Sequence, residues 1–219
     1  MTTLTANQAV RAAAPAVEAP VKITRKRIDA ILVWLGVAAA AVLVAAGGLL
    51  TWGSTFAEDY VHDELAAQNI TFPDADSLRE DGRADLVKYA DEQVDTGAEA
   101  EAYSSLIGTH VDGIADGATY SELGGPERAA QASVTEATEA GAPAAEVEAL
   151  QAEADELTAQ RDSVFKGEML RGTLLSTYAW STIGRIAGIA AWVAFAGALV
   201  MAGLVVAGVF HLRKLSAQH

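Results

Sequence analysis

Two long stretches of the chain contain no Asp, Glu, Lys or Arg: Ala30 to Ala57 and Ile186 to Leu212. A membrane-spanning helix needs about 20 mainly apolar residues to cross a hydrocarbon core of roughly 30 Å. Each stretch exceeds that length. The sequence therefore predicts an all-α protein whose two transmembrane helices flank the remaining helical segment.

Basic residues stand at the outer edges of both stretches. Lys22, Arg25, Lys26 and Arg27 precede the first stretch, and Arg213 and Lys214 follow the second. Because basic flanks are retained on the cytoplasmic side, both termini are predicted to be cytoplasmic, in a plasma-membrane protein with two passes. Arg171 and Arg185 oppose this orientation but are outnumbered. The first apolar stretch is longer than the apolar region of a cleaved signal peptide, which has roughly 7–15 residues. This length favours an uncleaved signal-anchor.

These features divide the chain into six regions. We expect a disordered cytoplasmic tail with a basic flank at 1–27, a first transmembrane helix at 28–52, an acidic extracytoplasmic helical domain at 53–170, an outer interfacial segment at 171–185, a second transmembrane helix at 186–212 and a cytoplasmic tail at 213–219.

The segment between the stretches holds nearly all of the acidic residues. Of 29 in the chain, 27 lie between Gly53 and Leu170, against six basic residues, so this segment carries a net charge of −21. Such a field repels nucleic acid and favours cations or basic partner surfaces. Besides the lipid bilayer, the expected partner is a membrane or envelope protein. Nucleic acid is not expected to bind. The alternative is that the charge only keeps a thinly packed domain soluble.

Apolar periodicity predicts how the acidic segment is organised. The first helix should continue outward and stop at the run NITFP, because proline and its neighbour disfavour helix. The residues expected on one face of this extension are Phe56, Tyr60, Val61 and Leu65. Short helices are expected from about Ala84 to Val94 and from Ala98 to Ile114. Three tyrosines are expected to provide much of their core: Tyr89, Tyr103 and Tyr120.

Thr119 and Glu122 form a capping-box pattern that predicts a further short helix, which Gly124, Gly125 and Pro126 should interrupt. Glu127 to Gly141 is then expected to be a linker or a frayed helix. A heptad-like apolar series predicts a long helix from Ala144 to Lys166 that can merge with the second span.

Small residues recur along the second span at four-residue spacing. Such a stripe lets two helix backbones approach closely and predicts a contact face, shared with the first span or with a second copy of the chain. On the first span it would meet Ala39, Leu43 and Gly47, or Ala38, Val42 and Ala46. In a chain this rich in alanine the series also arises by chance. The stripe consists of Gly184, Gly188, Ala190, Ala194, Ala198 and Ala202.

Residues that carry chemistry are scarce. The chain has no cysteine, which excludes disulfides and thiolate catalysis, and no charged residue at mid-span, which disfavours a pump or transporter. His62, Glu64 and His110 are weak candidates for the two-histidine, one-carboxylate set of Fe(II) oxygenases. More simply, His62 is expected at the surface and His110 in the core. No catalytic residue, cofactor or metal site is predicted.

The blocks Tyr89 to Leu123 and Phe165 to Gly184 carry a resemblance to a known family. From about Ile28 to Leu212 the chain resembles small actinobacterial membrane proteins with two spans and no assigned function. Some members are named aromatic ring-opening dioxygenase. That name implies an Fe(II) enzyme with two histidines and a glutamate that opens a catechol ring with O₂, for which this chain offers only His62 and His110 outside the membrane ends.

The hypothesis that follows is docking. The chain is expected to be a scaffold or accessory subunit without catalysis of its own, whose acidic domain contacts another membrane or envelope component. Two alternatives stay open. One is the non-haem Fe(II) dioxygenase, and the other is an extracytoplasmic sensor that responds to cations through its carboxylates.

Overall fold

Two very long helices carry the uncharged stretches. The structure is a computed structural model that describes the backbone of residues 25–216 and the side chains of residues 27–214. Residues 1–24 of the predicted disordered tail, including Lys22, lie outside the described residues, as do the side chains of Arg25 and Lys26. Residues 25–27, also predicted to be disordered, are instead helical. The helices are α1 (Arg25–Gln68), α2 (Ala75–Glu80), a 3₁₀ helix (Ala84–Tyr89), α3 (Gly97–Ala115), α4 (Tyr120–Glu139) and α5 (Ala144–Ser216).

The prediction of an all-α protein is confirmed. Residues 25–216 contain helices and one isolated β-bridge between Thr71 and Gln93, and no strand. Both α1 and α5 are long and apolar enough to cross a membrane. The predicted merging of the Ala144 helix with the second apolar stretch is also observed, because α5 runs through both without a break.

Capping residues define where the shorter helices begin. Thr96 and Thr119 each accept a hydrogen bond from the backbone three residues on, while Glu99 and Glu122 each accept one from the capping residue's own N–H. These reciprocal bonds satisfy donors that a helix start leaves unpaired. The helix α3 ends at Asp116, whose left-handed backbone (φ 49°) turns the chain into α4.

The predicted helix from Ala84 to Val94 is wrong in its second half. The 3₁₀ helix ends at Tyr89, and the following residues pair with the segment after α1. Phe72 N–H donates to the Glu92 carbonyl at 2.9 Å, and Val94 N–H donates to the Ile70 carbonyl at 2.8 Å. This long-range pairing draws the segment out of the helical conformation.

The interruption predicted at Gly124 to Pro126 is also wrong, because α4 continues to Glu139. Proline lacks the N–H that would bond to the carbonyl four residues earlier, so one helical hydrogen bond is lost. Packing against α5 compensates: Gly124 lies under the guanidinium of Arg161, and the Glu127 side chain is bonded to it. The segment expected to be a linker or a frayed helix, Glu127 to Gly141, is therefore helical as far as Glu139.

The described residues form two compact units. The terminal unit comprises the chain up to Val44 and from Ala196 onward, and the central unit runs from Ala45 to Phe195. In the central unit α3 lies antiparallel to α5, since Gly108 contacts Arg171 and Gly167 contacts Val111. Its main core joins α1, the connecting segments, α3 and α5, through Val61, Leu65, Phe72, Leu78, Leu86, Val94, Ala100, Leu106 and Leu174.

Two of the three tyrosines expected in the core lie there. Phe72 stacks on Tyr89 and meets Tyr103 edge-on, with ring centroids 5.2 Å apart in both pairs. Tyr120 is instead 41% exposed and contacts Phe165 of α5. A smaller core of Val111, Ala115, Leu123 and Val164 fills the space nearby.

Candidate interaction surfaces

The apolar parts of α1 and α5 contact one another through small residues. In the central unit, a Cβ at Gly188 would lie 2.8 Å from Ser54 Oγ, and one at Gly184 would lie 3.0 Å from Ala57 Cβ. In the terminal unit, a Cβ at Gly36 would lie 2.8 Å from a methyl group of Val205. Glycine at these positions lets the backbones approach closely.

The residues of the predicted stripe differ in how far they are buried. Gly184 and Ala198 are buried, Gly188, Ala190 and Ala194 are half-buried, and Ala202 is exposed. On α1 the first of the two alternative faces is the more buried: Ala39 and Leu43 are half-buried and Gly47 is buried, whereas Ala38 and Val42 are exposed.

The buried positions follow a seven-residue repeat instead of a four-residue one. On α5 the residues of lowest exposure include Gly184, Ala191 and Ala198, each seven apart, and on α1 they include Gly47, Ser54 and Val61. A repeat of seven is typical of helices that pack as a left-handed pair. The signal in the sequence for this contact face is therefore the seven-residue spacing of glycine, alanine and serine, which coexists with the four-residue series.

The two candidate histidine ligands each lie beside a different acidic residue, and the candidate Glu64 is exposed on α1. His62 Nδ1 is 3.3 Å from the Asp95 carbonyl oxygen, and His110 Nε2 is 3.1 Å from Asp81 Oδ2. His110 is at the surface and not in the core, contrary to prediction. Among the described residues no group of three His, Asp or Glu side chains is placed to hold a metal ion, so His62, Glu64 and His110 do not fit an Fe(II) site.

The central unit contains a helical hairpin without any basic residue. We call residues 129–160 the acidic arm; it consists of the second half of α4, the turn and the start of α5. Its interior is thin, with Ala154 buried and Leu150 and Leu157 half-buried. Its acidic side chains are all exposed, and no described residue forms an ion pair with them: Glu136, Glu139, Glu146, Glu148, Glu153, Asp155 and Glu156.

A polar network closes the base of the acidic arm. Arg161 Nη1 donates to Glu127 Oε2 at 2.6 Å, and Thr158 Oγ1 donates to Glu127 Oε1 at 3.1 Å. The Arg161 hydrogen bond lowers the pKa of Glu127 and keeps it ionised. The Arg161 guanidinium also lies 4.0 Å from the ring centroid of Tyr120. In the heptad-like series of α5, Arg161 follows Leu157 by four residues, at a position where an apolar residue is expected. These contacts explain why an arginine is accommodated there.

Aromatic side chains form an exposed ladder on α1. Trp52, Phe56 and Tyr60 follow at four-residue spacing, with ring centroids 5.8 Å and 6.2 Å apart. All three are more than half exposed. Amphipathic aromatic rings prefer the boundary between lipid and water, so this face suits the edge of a bilayer.

Of the residues predicted to set topology, Arg27, Arg213 and Lys214 have described side chains, and all three are exposed. Comparison with known proteins yields no family model, no curated protein and no solved structure that matches this chain.

Proposed function

We propose that the chain crosses the plasma membrane twice with both termini in the cytoplasm, and that its acidic arm docks onto a basic surface of another membrane or envelope protein. The uncharged lengths of α1 and α5 and the basic residues at their far ends support the topology. The protein then acts as an accessory subunit or scaffold.

The observation that carries docking is the seven exposed carboxylates of the acidic arm, which have no compensating base within 129–160. Carboxylates that are not paired within the protein are available to a cationic partner, and the summed field accelerates encounter with it. A second copy of the chain does not suit this surface, since it would present the same charge.

The network at the base fixes the direction of the acidic arm. Glu127, Thr158 and Arg161 join α4 to α5 just where the arm begins, and α5 then continues into the apolar stretch without a break. A rigid presentation lowers the entropy that a partner's binding must overcome. Docking therefore uses positioned charge and requires no chemical step.

Topology is tested with a labelled cysteine. Because the natural chain has no cysteine, Ala140→Cys in the exposed turn of the acidic arm places a single thiol there. A membrane-impermeant maleimide should label it in intact cells. Labelling only after cell lysis would overturn the proposed orientation, and recovery of the chain in the soluble fraction after alkaline washing would overturn the membrane location.

Docking is tested by neutralising the acidic arm. The arm variant carries glutamine or asparagine at its seven acids, and a matched control carries the same change at seven exposed acids elsewhere: Glu58, Asp59, Asp63, Glu64, Glu80, Glu92 and Asp112. Each tagged full-length chain is captured from detergent-solubilised membranes, and the bound proteins are quantified.

The arm variant should lose a partner that the natural chain and the control retain. Binding should also weaken between about 0.1 M and 1 M salt, as the Debye length falls from about 10 Å to 3 Å. Equal losses in the two variants would mean that net charge alone matters, and equal retention would place the docking surface elsewhere. Either result would overturn the proposal.

A further inference from the structure

A cleft of about 470 Å³ lies between α1 and α5 in the terminal unit. Its walls are apolar and include Leu32 and Gly36 from α1 and Val205 from α5, while Asp29 and His211 line it as well. Its volume falls within the range of about 300–1,000 Å³ that is usual for small-molecule sites.

The Asp29 side chain lines the cleft with a buried carboxylate oxygen. Its Oδ2 is buried and accepts no hydrogen bond from the described residues. A buried acceptor without a donor is destabilising, and more so when it is charged. A ligand that binds beside the Asp29 carboxylate should therefore offer N–H or O–H donors, preferably with a positive charge.

The cleft matches one leaflet of a bilayer in depth. Its α5 wall extends from Met201 to His211, and the ten steps between these residues rise about 15 Å along a helix. Half of a hydrocarbon core of roughly 30 Å is the same length. Asp29 and His211 stand at the end of the helices that also carries Arg213 and Lys214, where the head groups would lie.

We propose that this cleft binds one phospholipid with a primary ammonium head group. The ammonium donates to Asp29, one acyl chain lies along Leu32, Gly36 and Val205, and the phosphate lies near Arg213 and Lys214. A quaternary ammonium has no N–H to offer, and an anionic head group without an amine would be repelled by the carboxylate. The inference rests on the proposed membrane location.

The test is lipid retention by the full-length chain. The protein is reconstituted in nanodiscs of phosphatidylethanolamine and phosphatidylcholine in equal parts with identical acyl chains, released into mild detergent, and weighed by native mass spectrometry. About one phosphatidylethanolamine should be retained, with roughly tenfold preference, as expected for a hydrogen bond to a charged group. Equal retention of the two lipids would overturn the proposal.

Three variants assign the effect. Asp29→Asn should abolish the preference, whereas Asp59→Asn, the same charge change at an exposed position of the same helix, should keep it. Ala207→Phe at the exposed wall of the cleft should lower retention of both lipids. If Asp29→Asn behaves like Asp59→Asn, the carboxylate does not select the lipid and the inference fails.

Two further outcomes would also overturn it. Arg25 precedes Asp29 by one helical turn and could form an ion pair with it. In that case Arg25→Gln and Asp29→Asn would lose equal stability, and the natural chain would show no lipid preference. A melting temperature raised by Mg²⁺ only when Asp29 is present, again without lipid preference, would indicate a cation site. A chain absent from washed membranes would instead refute the proposed function.

Discussion

Arg161 of α5 donates a 2.6 Å hydrogen bond to the carboxylate of Glu127 on α4, and Glu127 is only 8% exposed. The pair joins two helices at the point where the acidic arm begins. Removing the arginine would leave a largely buried anion with only the Thr158 hydroxyl as donor, and an uncompensated charge of this kind is costly.

We therefore expect Arg161→Met to lower the melting temperature of the full-length protein in detergent by several degrees. Arg128→Met removes the same charge from an exposed position one residue from Glu127 and should have little effect. Combining Arg161→Met with Glu127→Leu should recover part of the loss, because both members of the pair are then gone. Coincident melting curves for Arg161→Met and Arg128→Met would show that the pair contributes nothing.

Acid should weaken the fold through carboxylates that the folded state keeps ionised. A hydrogen bond from Thr119 N–H lowers the pKa of Glu122, and one from Arg161 lowers that of Glu127. Because these folded-state values lie below the usual glutamate pKa of about 4.3, the unfolded chain binds more protons at acidic pH. Their stabilisation is fully present above that value and is lost as the pH falls below it.

The measurement is the melting temperature between about pH 7 and 3. Acid also relieves repulsion among the other carboxylates. The decisive quantity is therefore the difference in melting temperature between the natural chain and a double variant that carries both Glu122→Gln and Glu127→Gln. That difference should be largest near neutral pH and shrink below about pH 4.3. A difference that stays constant with pH would contradict the assignment.

How far the sequence predicts this fold depends on the range of the interactions. The two longest helices follow from uncharged runs and from the absence of proline, and the Thr119 capping box is local, so both could be foreseen. The pairing of Ile70 with Val94 and the fit of Gly124 beneath Arg161 join distant segments. A reading of neighbouring residues cannot detect such contacts.

The candidate surfaces show the same division. Their charge follows directly from composition. The aromatic ladder from Trp52 to Tyr60 is visible in the sequence as a four-residue spacing, but this spacing does not tell an exposed face from a buried one. The partners of His62 and His110 could not be foreseen, because Asp95 and Asp81 are 33 and 29 residues away along the chain.

The capping box of α4 should contribute measurably to stability. Thr119 Oγ1 accepts from Glu122 N–H, and Glu122 accepts in return from Thr119 N–H. Replacing such a capping threonine by alanine costs about 1 kcal/mol, so Thr119→Ala should lower the melting temperature by about 2–4 °C. Thr135→Ala in the same helix removes a threonine that bonds only to its own preceding turn, and it should be nearly neutral. Equal shifts for the two would mean that the cap has no specific role.

Two glycines of α3 should respond oppositely to the same substitution. A Cβ at Gly97 would collide with Ser181 of α5, whereas one at Gly113 would meet no neighbouring atom. Gly97→Ala should cost about 1–3 kcal/mol through overpacking, and Gly113→Ala should add about 0.5–1 kcal/mol of helix stability. Ser181→Gly should reduce the cost of Gly97→Ala, a coupling that thermal melts of the single and double variants measure. If the two alanine variants shift stability in the same direction, the close contact between α3 and α5 is not present.

A disulfide can test the register of α1 against α5 directly, because the natural chain contributes no cysteine to the background. A Cβ at Gly188 would lie 3.7 Å from Ser54 Cβ, close to the mean of about 3.8 Å for disulfide-bonded pairs. Ser54→Cys with Gly188→Cys should therefore cross-link within one chain when washed membranes are oxidised, and shift the mobility of a chain cleaved between the two positions.

Ser54→Cys with Ile189→Cys is the matched control, since Ile189 is 61% exposed one residue further along α5 and its side chain turns away from the contact. Cross-linking of both pairs at equal rates would mean that the helices do not hold this register, and cross-linking between chains alone would assign the seven-residue repeat to an oligomer.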